Sequence, residues 1–221
     1  EEQGHMRTTI LPGLLETLRR NVNRRNEDLG IFELGKIYLP QGFLEKGTLP
    51  EEKWTLGIAL RGIPVIHWQD KGQPVDFYYL KGIVEELLAE FRLTGISFKP
   101  CQDNPSYHPG RTAYVYVGES CLGIIGEIHP QVADNYDLSG RNYVAELDVE
   151  LLIKIGEGQV SFKQLPKYPS VNRDLALVVK DEIAAIELIE EIKKVGGQLL
   201  TEVFLFDVYK GNQIASGYKS L

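Results

Sequence analysis

The sequence predicts an α+β chain in two parts: a mostly antiparallel sheet with packing helices over residues 1–158, then the opening half of a strand–helix–strand plait over residues 159–221. Three observations predict it. Apolar residues recur at helical spacing in separate stretches near residues 11–22, 77–91 and 183–195. Between the first two and after the second lie β-rich runs bounded by Pro, Gly, Asn and Asp. Gly156-Glu157-Gly158-Gln159 is the strongest candidate linker.

Each element has its own signal. Leu11, Leu14, Leu15, Leu18 and Val22 form a helical stripe, and Pro12-Gly13 suits a helix start. Arg19, Arg20, Arg24 and Arg25 follow, where the helix dipole favours cations. They fit a solvated face or partner contact better than a nucleic-acid patch. Leu29–Leu39 reads as a strand, as does Trp54–Leu60. Asp76 is a good N-cap for a helix carrying Phe77, Leu80, Val84, Leu87, Leu88 and Phe91. Ile96–Lys99 is a short strand and residues 100–110 a loop with two prolines. Thr112–Val117 and Cys121–Ile128 read as a hairpin turning at Gly118-Glu119-Ser120. His129-Pro130 opens a short helix, Tyr143–Asp148 is a strand, and Leu151–Ile155 a short helix or extension.

Beyond the linker, Asp174–Lys180 reads as a buried strand and residues 183–195 as a helix ended by Gly196-Gly197. Leu199–Tyr209 reads as a long strand, and Lys210-Gly211-Asn212 as its turn. Strand, helix, strand and the start of a third strand are the first half of a ferredoxin-like plait. Glu1 rather than Met opens the sequence, and residues 217–221 read like a turn into a strand. The expectation is a fragment of a longer polypeptide, the alternative being processing at one end and a natural stop at the other.

Composition narrows the function classes. With 43% hydrophobic and 25% charged residues over 221 positions, the chain is too apolar for disorder and long enough for a sizeable core. No apolar run is long enough to span a membrane, and no basic-then-apolar leader is present. Cys101 and Cys121 lack metal-ligand spacing, which favours a reducing, cytoplasmic setting. Net charge is −7, and residues 163–221 carry equal numbers of basic and acidic side chains, so the excess lies in the first part. That argues against bulk nucleic-acid binding.

No catalytic constellation stands out. There is no Walker A run and no GxSxG elbow, and Gly123-Ile124-Ile125-Gly126 suits a close backbone approach better than a phosphate cradle. The four histidines are scattered. Glu146 and Asp148 share a strand face, more in keeping with surface placement than with a catalytic pair. Arg111, after His108-Pro109-Gly110, suits either an anion or a structural salt bridge.

Four stretches, in order, resemble one family: MRTTILPGLLETLRRNVNRRNEDLGIFELGKIY (6–38), FYYLKGIVEELL (77–88), HPGRTAYVYVGESCLGIIGEIHP (108–130), and YPSVNRDLALVV (168–179) with LFDVYKG (205–211). They resemble the β chain of bacterial phenylalanine–tRNA ligase (phenylalanyl-tRNA synthetase). The resemblance implies a class II synthetase catalytic-like domain over residues 1–158 and a truncated ferredoxin-fold anticodon-binding domain over residues 159–221. It implies an α chain as partner in an (αβ)2 heterotetramer, with the α chain holding the active site. It also implies tRNA(Phe) as ligand of the intact enzyme, ATP and Mg2+ for the whole enzyme, and a cytoplasmic location.

For this chain the resemblance implies no catalytic, cofactor-binding or metal residue. The strand Ile31-Phe32-Glu33-Leu34-Gly35 lacks the arginine that a working class II site needs for ATP, and the family's magnesium site falls before Glu1. Leu14, Leu15, Leu18 and Val22 are the candidate subunit interface, their alternative being burial in the chain's own sheet. Lys167, Arg173, Lys210 and Lys219 are the candidate tRNA-binding cations. The competing reading is an independent RNA-binding or protein-interaction module, for which Phe204 and Phe206 lie on one strand face but without a basic cluster.

Overall fold

Pro12 opens α1 (Leu11–Val22), where its missing N–H is no loss. The Leu11 N–H donates to the Thr9 hydroxyl oxygen at 3.1 Å, and those of Gly13 and Leu14 to the Ile10 carbonyl at 3.1 and 3.3 Å. Leu11, Leu14, Leu15 and Leu18 form one buried stripe, and Arg19 and Arg20 occupy the last turn. The computed structural model describes residues 4–41, 49–64, 68–69, 72–156, 167–211 and 213–221. It divides into two compact units, Glu1–Ser161 and Phe162–Leu221. Residues 157–159 of the sequence-predicted linker lie outside the described residues.

The first unit is built on a six-stranded antiparallel sheet, in the order β1 (Leu29–Leu39), β2 (Glu51–Arg61), β6 (Tyr143–Asp148), β5 (Ser120–Ile128), β4 (Tyr107–Val117) and β3 (Ile96–Pro100). β1 and β2 pair from Leu29↔Arg61 to Leu39↔Glu51. The last strand, β6, lies between β2 and β5. Alternating side chains along each strand serve opposite faces. On one face Ile58, Leu60, Ala113, Val115, Ile125, Tyr143, Ala145 and Leu147 pack with Leu80, Val84 and Leu88 of α2 (Phe77–Glu90). On the other, Ala59, Ile124 and Val144 pack with Ile10 and the leucines of α1. The short helices α3 (Pro130–Asn135) and α4 (Val149–Ile155) close the unit.

Two glycines mark where backbones approach. A Cβ on Gly57 would lie 2.7 Å from Leu14 and 2.9 Å from Ile10, so α1 rests directly on β2. A Cβ on Gly123 would collide with the Glu146 carbonyl of β6. The close-approach reading of this stretch therefore holds. β4 starts earlier than expected. The ladder shifts register between Tyr107 and Thr112, because Pro109 has no N–H to pair, and the Thr112 hydroxyl donates to the His108 carbonyl at 2.6 Å.

In the second unit, β7 (Val178–Lys180) pairs antiparallel with β8 (Tyr218–Ser220), and α5 (Ala185–Gly196) intervenes. The Glu187 carboxylate accepts from the Ala184 N–H at 2.8 Å, and Gly197 at φ 62° ends the helix. Two strand expectations are corrected. Of Asp174–Lys180, only the last three residues form a strand, extended by reciprocal Leu177–Leu221 hydrogen bonds of 3.0 Å. Leu199–Tyr209 forms no strand: its sole bridge is Tyr209↔Ser220. The reason is a shortage of partner backbone: β8 spans only Tyr218–Ser220, and on the side away from β7 it meets this stretch at Ser220 alone. β8 thus takes the central position that the third strand of a plait requires. No described residue of this unit is buried, and Phe204, Phe206 and Leu199 are well exposed.

Three substitutions in the first unit test this packing. Leu18→Ala, at a fully buried site, costs about 2–5 kcal/mol in denaturant unfolding. Gly57→Val costs about 1–3 kcal/mol by driving α1 off β2, and Gly82→Ala, facing open space on α2, is neutral or stabilising in the same assay.

Candidate functional site

Residues that suggested chemistry in the sequence are engaged in structural work. Glu146 accepts hydrogen bonds from the Thr9 hydroxyl, from the Ile10 N–H at 2.9 Å and from the buried Tyr107 hydroxyl at 3.4 Å. It holds the entry of α1 against the sheet. Burial, and then the Glu146 carboxylate, push the Tyr107 phenol well up from its ordinary value. Asp148 caps α4, accepting from the Leu151 N–H at 2.8 Å. The two carboxylates therefore do not act as a pair.

Arg111 takes the structural option. Its Nη1 lies 3.0 and 2.9 Å from the two carboxylate oxygens of Glu127. The Glu127 side chain is only 7% exposed and also accepts from the Tyr143 hydroxyl at 3.1 Å. Burial raises the Tyr143 phenol, the Glu127 charge adds to this, and Arg141 opposes it. Sequence reasoning missed Glu127. Its signal was a lone carboxylate inside the apolar run CLGIIGEI, which burial obliges to find a cation. It also missed Arg61, whose buried guanidinium donates to the Glu27 carbonyl at 3.1 Å and the Asn142 side-chain carbonyl at 3.3 Å.

At β1, Glu33 meets Arg7, whose Nη1 lies 2.5 Å from Oε1 and whose Nε donates to the Lys36 carbonyl at 2.8 Å. The nearest cation thus comes from the segment before α1, not from the helix, and it is already paired. Among the described residues, no three His, Cys, Asp or Glu side chains are grouped to hold a metal ion. No helix among them is long and apolar enough to cross a membrane.

The proposed interface residues fall differently from one another. Leu14, Leu15 and Leu18 are at most 2% exposed within the unit's own core, and Val22 is half-buried at its margin. Burial in the chain's own sheet, the alternative left open for them, describes those three leucines. The exposed apolar surface lies on the β1–β2 hairpin instead. The pairings Lys36↔Trp54, Leu34↔Leu56 and Phe32↔Ile58 put Phe32, Leu34 and Trp54 on one face, where they are 76%, 54% and 42% exposed.

In the second unit, Lys210 and Lys219 converge on Asp181. Lys210 Nζ is 2.9 Å from its carboxylate, and Lys219 Nζ donates to its backbone carbonyl at 2.9 Å. Lys167 and Arg173 are exposed and form no ion pair with a described residue. The Phe204 and Phe206 rings lie 6.5 Å apart and nearly edge-on.

Comparisons with known proteins match this division. A family model described as "Phenylalanyl tRNA synthetase beta chain CLM domain" matches residues 1–149, and "Ferredoxin-fold anticodon binding domain" matches residues 166–221. The chain is 42% identical over 221 residues to the phenylalanine–tRNA ligase beta subunit of Clostridium tetani, covering all of this chain and 26% of that protein. It is 41% identical over 222 residues to that of Symbiobacterium thermophilum, covering all of this chain and 24% of that protein. The chain thus spans about a quarter of the length of these relatives. A solved pyrrolysyl tRNA synthetase from Desulfitobacterium hafniense superposes with a TM-score of 0.52 at 15% identity, over 68% of this chain and 50% of that one, which shows a shared fold. Through both of its units, this chain belongs to the phenylalanyl-tRNA synthetase beta chain family.

Proposed function

We propose that the chain is a non-catalytic part of the beta subunit of a phenylalanine–tRNA ligase. In this reading residues 1–158 support an active site on an alpha subunit, and residues 159–221 contribute to tRNA binding. The observation that carries it is the covering of the central strands on both sheet faces, together with the engagement of the polar groups there. A site on a sheet needs an open floor with converging polar groups. Here α1 lies on one face down to van der Waals contact with Gly57, α2 covers the central strands of the other, and Glu146 and Asp148 are occupied.

ATP and Mg2+ serve the whole enzyme in this reading. Arg7, the cation beside Glu33 of β1, is tied to that carboxylate, and among the described residues no three His, Cys, Asp or Glu side chains are grouped to hold a metal ion. The alpha chain is the partner, in an (αβ)2 assembly, and the enzyme is cytoplasmic. The docking face for it is the exposed apolar strip Phe32–Leu34–Trp54 rather than the buried leucines of α1. A flat apolar strip on a sheet end is the type of surface that a stable partner covers.

The competing reading, an independent RNA-binding module, draws on the exposed Phe204–Phe206 pair. Co-purification separates the two. The parent chain should co-purify with the alpha subunit, and Phe32→Asp with Leu34→Asp should abolish this while leaving the circular dichroism spectrum unchanged. Failure of the parent chain to bind, with RNA binding retained, favours the independent module. In the αβ enzyme, Lys167→Ala with Arg173→Ala should weaken tRNA binding and lower the slope of log K against log salt by about one per lost phosphate contact.

A further inference from the structure

The β3–β4 end of the first unit carries two clefts that the roles above leave without a ligand. One, of about 410 Å3, opens between residues 102–109 and α3. The other, of about 530 Å3, runs from the first turn of α2 to β3, β4 and the start of β6. Gln102 and Pro109 line both, so the clefts adjoin as one trough.

We propose that this trough binds a short single-stranded RNA segment, with bases stacked on Phe77, Tyr78 and Phe98 and phosphates held by Arg111 and Arg141. The proposal rests on the reading that the chain serves a tRNA ligase, and it adds an RNA contact on the first unit to the one assigned to the second.

The larger cleft supplies stacking and charge. Tyr78 is 75% exposed, and its ring stands edge-on to that of Phe77 with centroids 5.6 Å apart. Every base has a π-face, so such rings bind single strands without strict sequence demand. Lys81 Nζ, paired with Glu85, sits 4.6 Å from the Phe98 ring centroid. Arg111 is held in place by Glu127 through Nη1 alone, and 39% of its side chain stays accessible. A clamped guanidinium loses little entropy on meeting a phosphate. Arg141 is exposed and forms no ion pair with a described residue. The single carboxylate in the lining, Asp76, already accepts from the Tyr79 N–H at 2.7 Å. Of the two cations in the lining Arg111 is balanced by Glu127, which leaves Arg141 as the unpaired cation on a chain of net charge −7.

The smaller cleft supplies readers of base edges. Gln102, Asn104, Gln131 and Asn135 bring amides, which both donate and accept and carry no charge. His129 joins them, its Nδ1 occupied by the Gln131 N–H at 3.2 Å. Stacking rings and arginines continuing into an amide-lined cleft match successive nucleotides of a strand. A free mononucleotide would fill only one half.

The test is fluorescence anisotropy of a labelled hexauridylate titrated with the 221-residue chain, with AMP as competitor. Tyr78→Ala and Arg141→Ala change exposed side chains and should keep the parent circular dichroism spectrum. Each should weaken hexauridylate binding about tenfold. Arg141→Ala should also lower the salt slope by about 0.7. Absence of binding overturns the proposal, as does displacement by AMP at concentrations matching the hexanucleotide. Equal binding by parent and both variants overturns it too. If in that case Lys167→Ala with Arg173→Ala still weakens tRNA binding by the αβ enzyme, the trough falls and the ligase reading stands. If the tRNA affinity of the enzyme resists every one of these substitutions, both fall.

Discussion

The first unit depends on one strand that must satisfy two cores at once. β6 separates the β1–β2 hairpin from the β5–β4–β3 meander, and its residues alternate between them and the helices. Tyr143, Ala145 and Leu147 belong to the cluster under α2, and Val144 to the cluster under α1. All four are at most 1% exposed. A register slip of one residue would turn Glu146 into the α2 cluster and Leu147 toward α1, exchanging a carboxylate for a hydrophobe at both places. The glycines on either side enforce the register: Gly57 admits α1, and Gly123 admits the β6 backbone.

Buried polar groups reinforce the same arrangement. Glu146 reaches from β6 to the entry of α1, Glu127 from β5 to Arg111 and Tyr143, and Arg61 from β2 to Asn142. Each joins elements distant in sequence, and each leaves a costly unpaired group if its partner moves. Such groups add little net stability, but they penalise other packings of a sheet whose apolar residues are largely interchangeable Leu, Ile, Val and Ala. The absence of catalysis proposed for this chain fits that use, since the ionisable groups at the sheet are bound to one another.

Local elements of the first unit were legible because their signals are local. The stripe Leu11–Leu18, the Asp76 cap and the runs Leu29–Leu39 and Tyr143–Asp148 lie where the pattern placed them. The α+β class, the beta-chain resemblance of the first part and the ferredoxin-like second part were legible as well. Pairing across long distances was not. Nothing in Glu127 names Arg111 as its neighbour, and nothing in Glu33 names Arg7. Leu199–Tyr209 was misread for a related reason: strand propensity describes side chains, whereas a strand needs partner backbone, and Ser220 offers a single bridge at Tyr209. The stripe of α1 is visible in sequence, but whether it faces a sheet or a partner is decided by Gly57, far along the chain.

The late position of β6 in the chain bears on synthesis. Arg61 closes the β1–β2 hairpin, yet its central neighbour begins only at Tyr143. At usual elongation rates the hairpin waits roughly 4–16 s on the ribosome before that strand exists. During this interval β2 presents a bare backbone edge on the side that β6 will cover. Nascent chains of this protein therefore pass through a stage in which an open sheet edge is exposed to other chains.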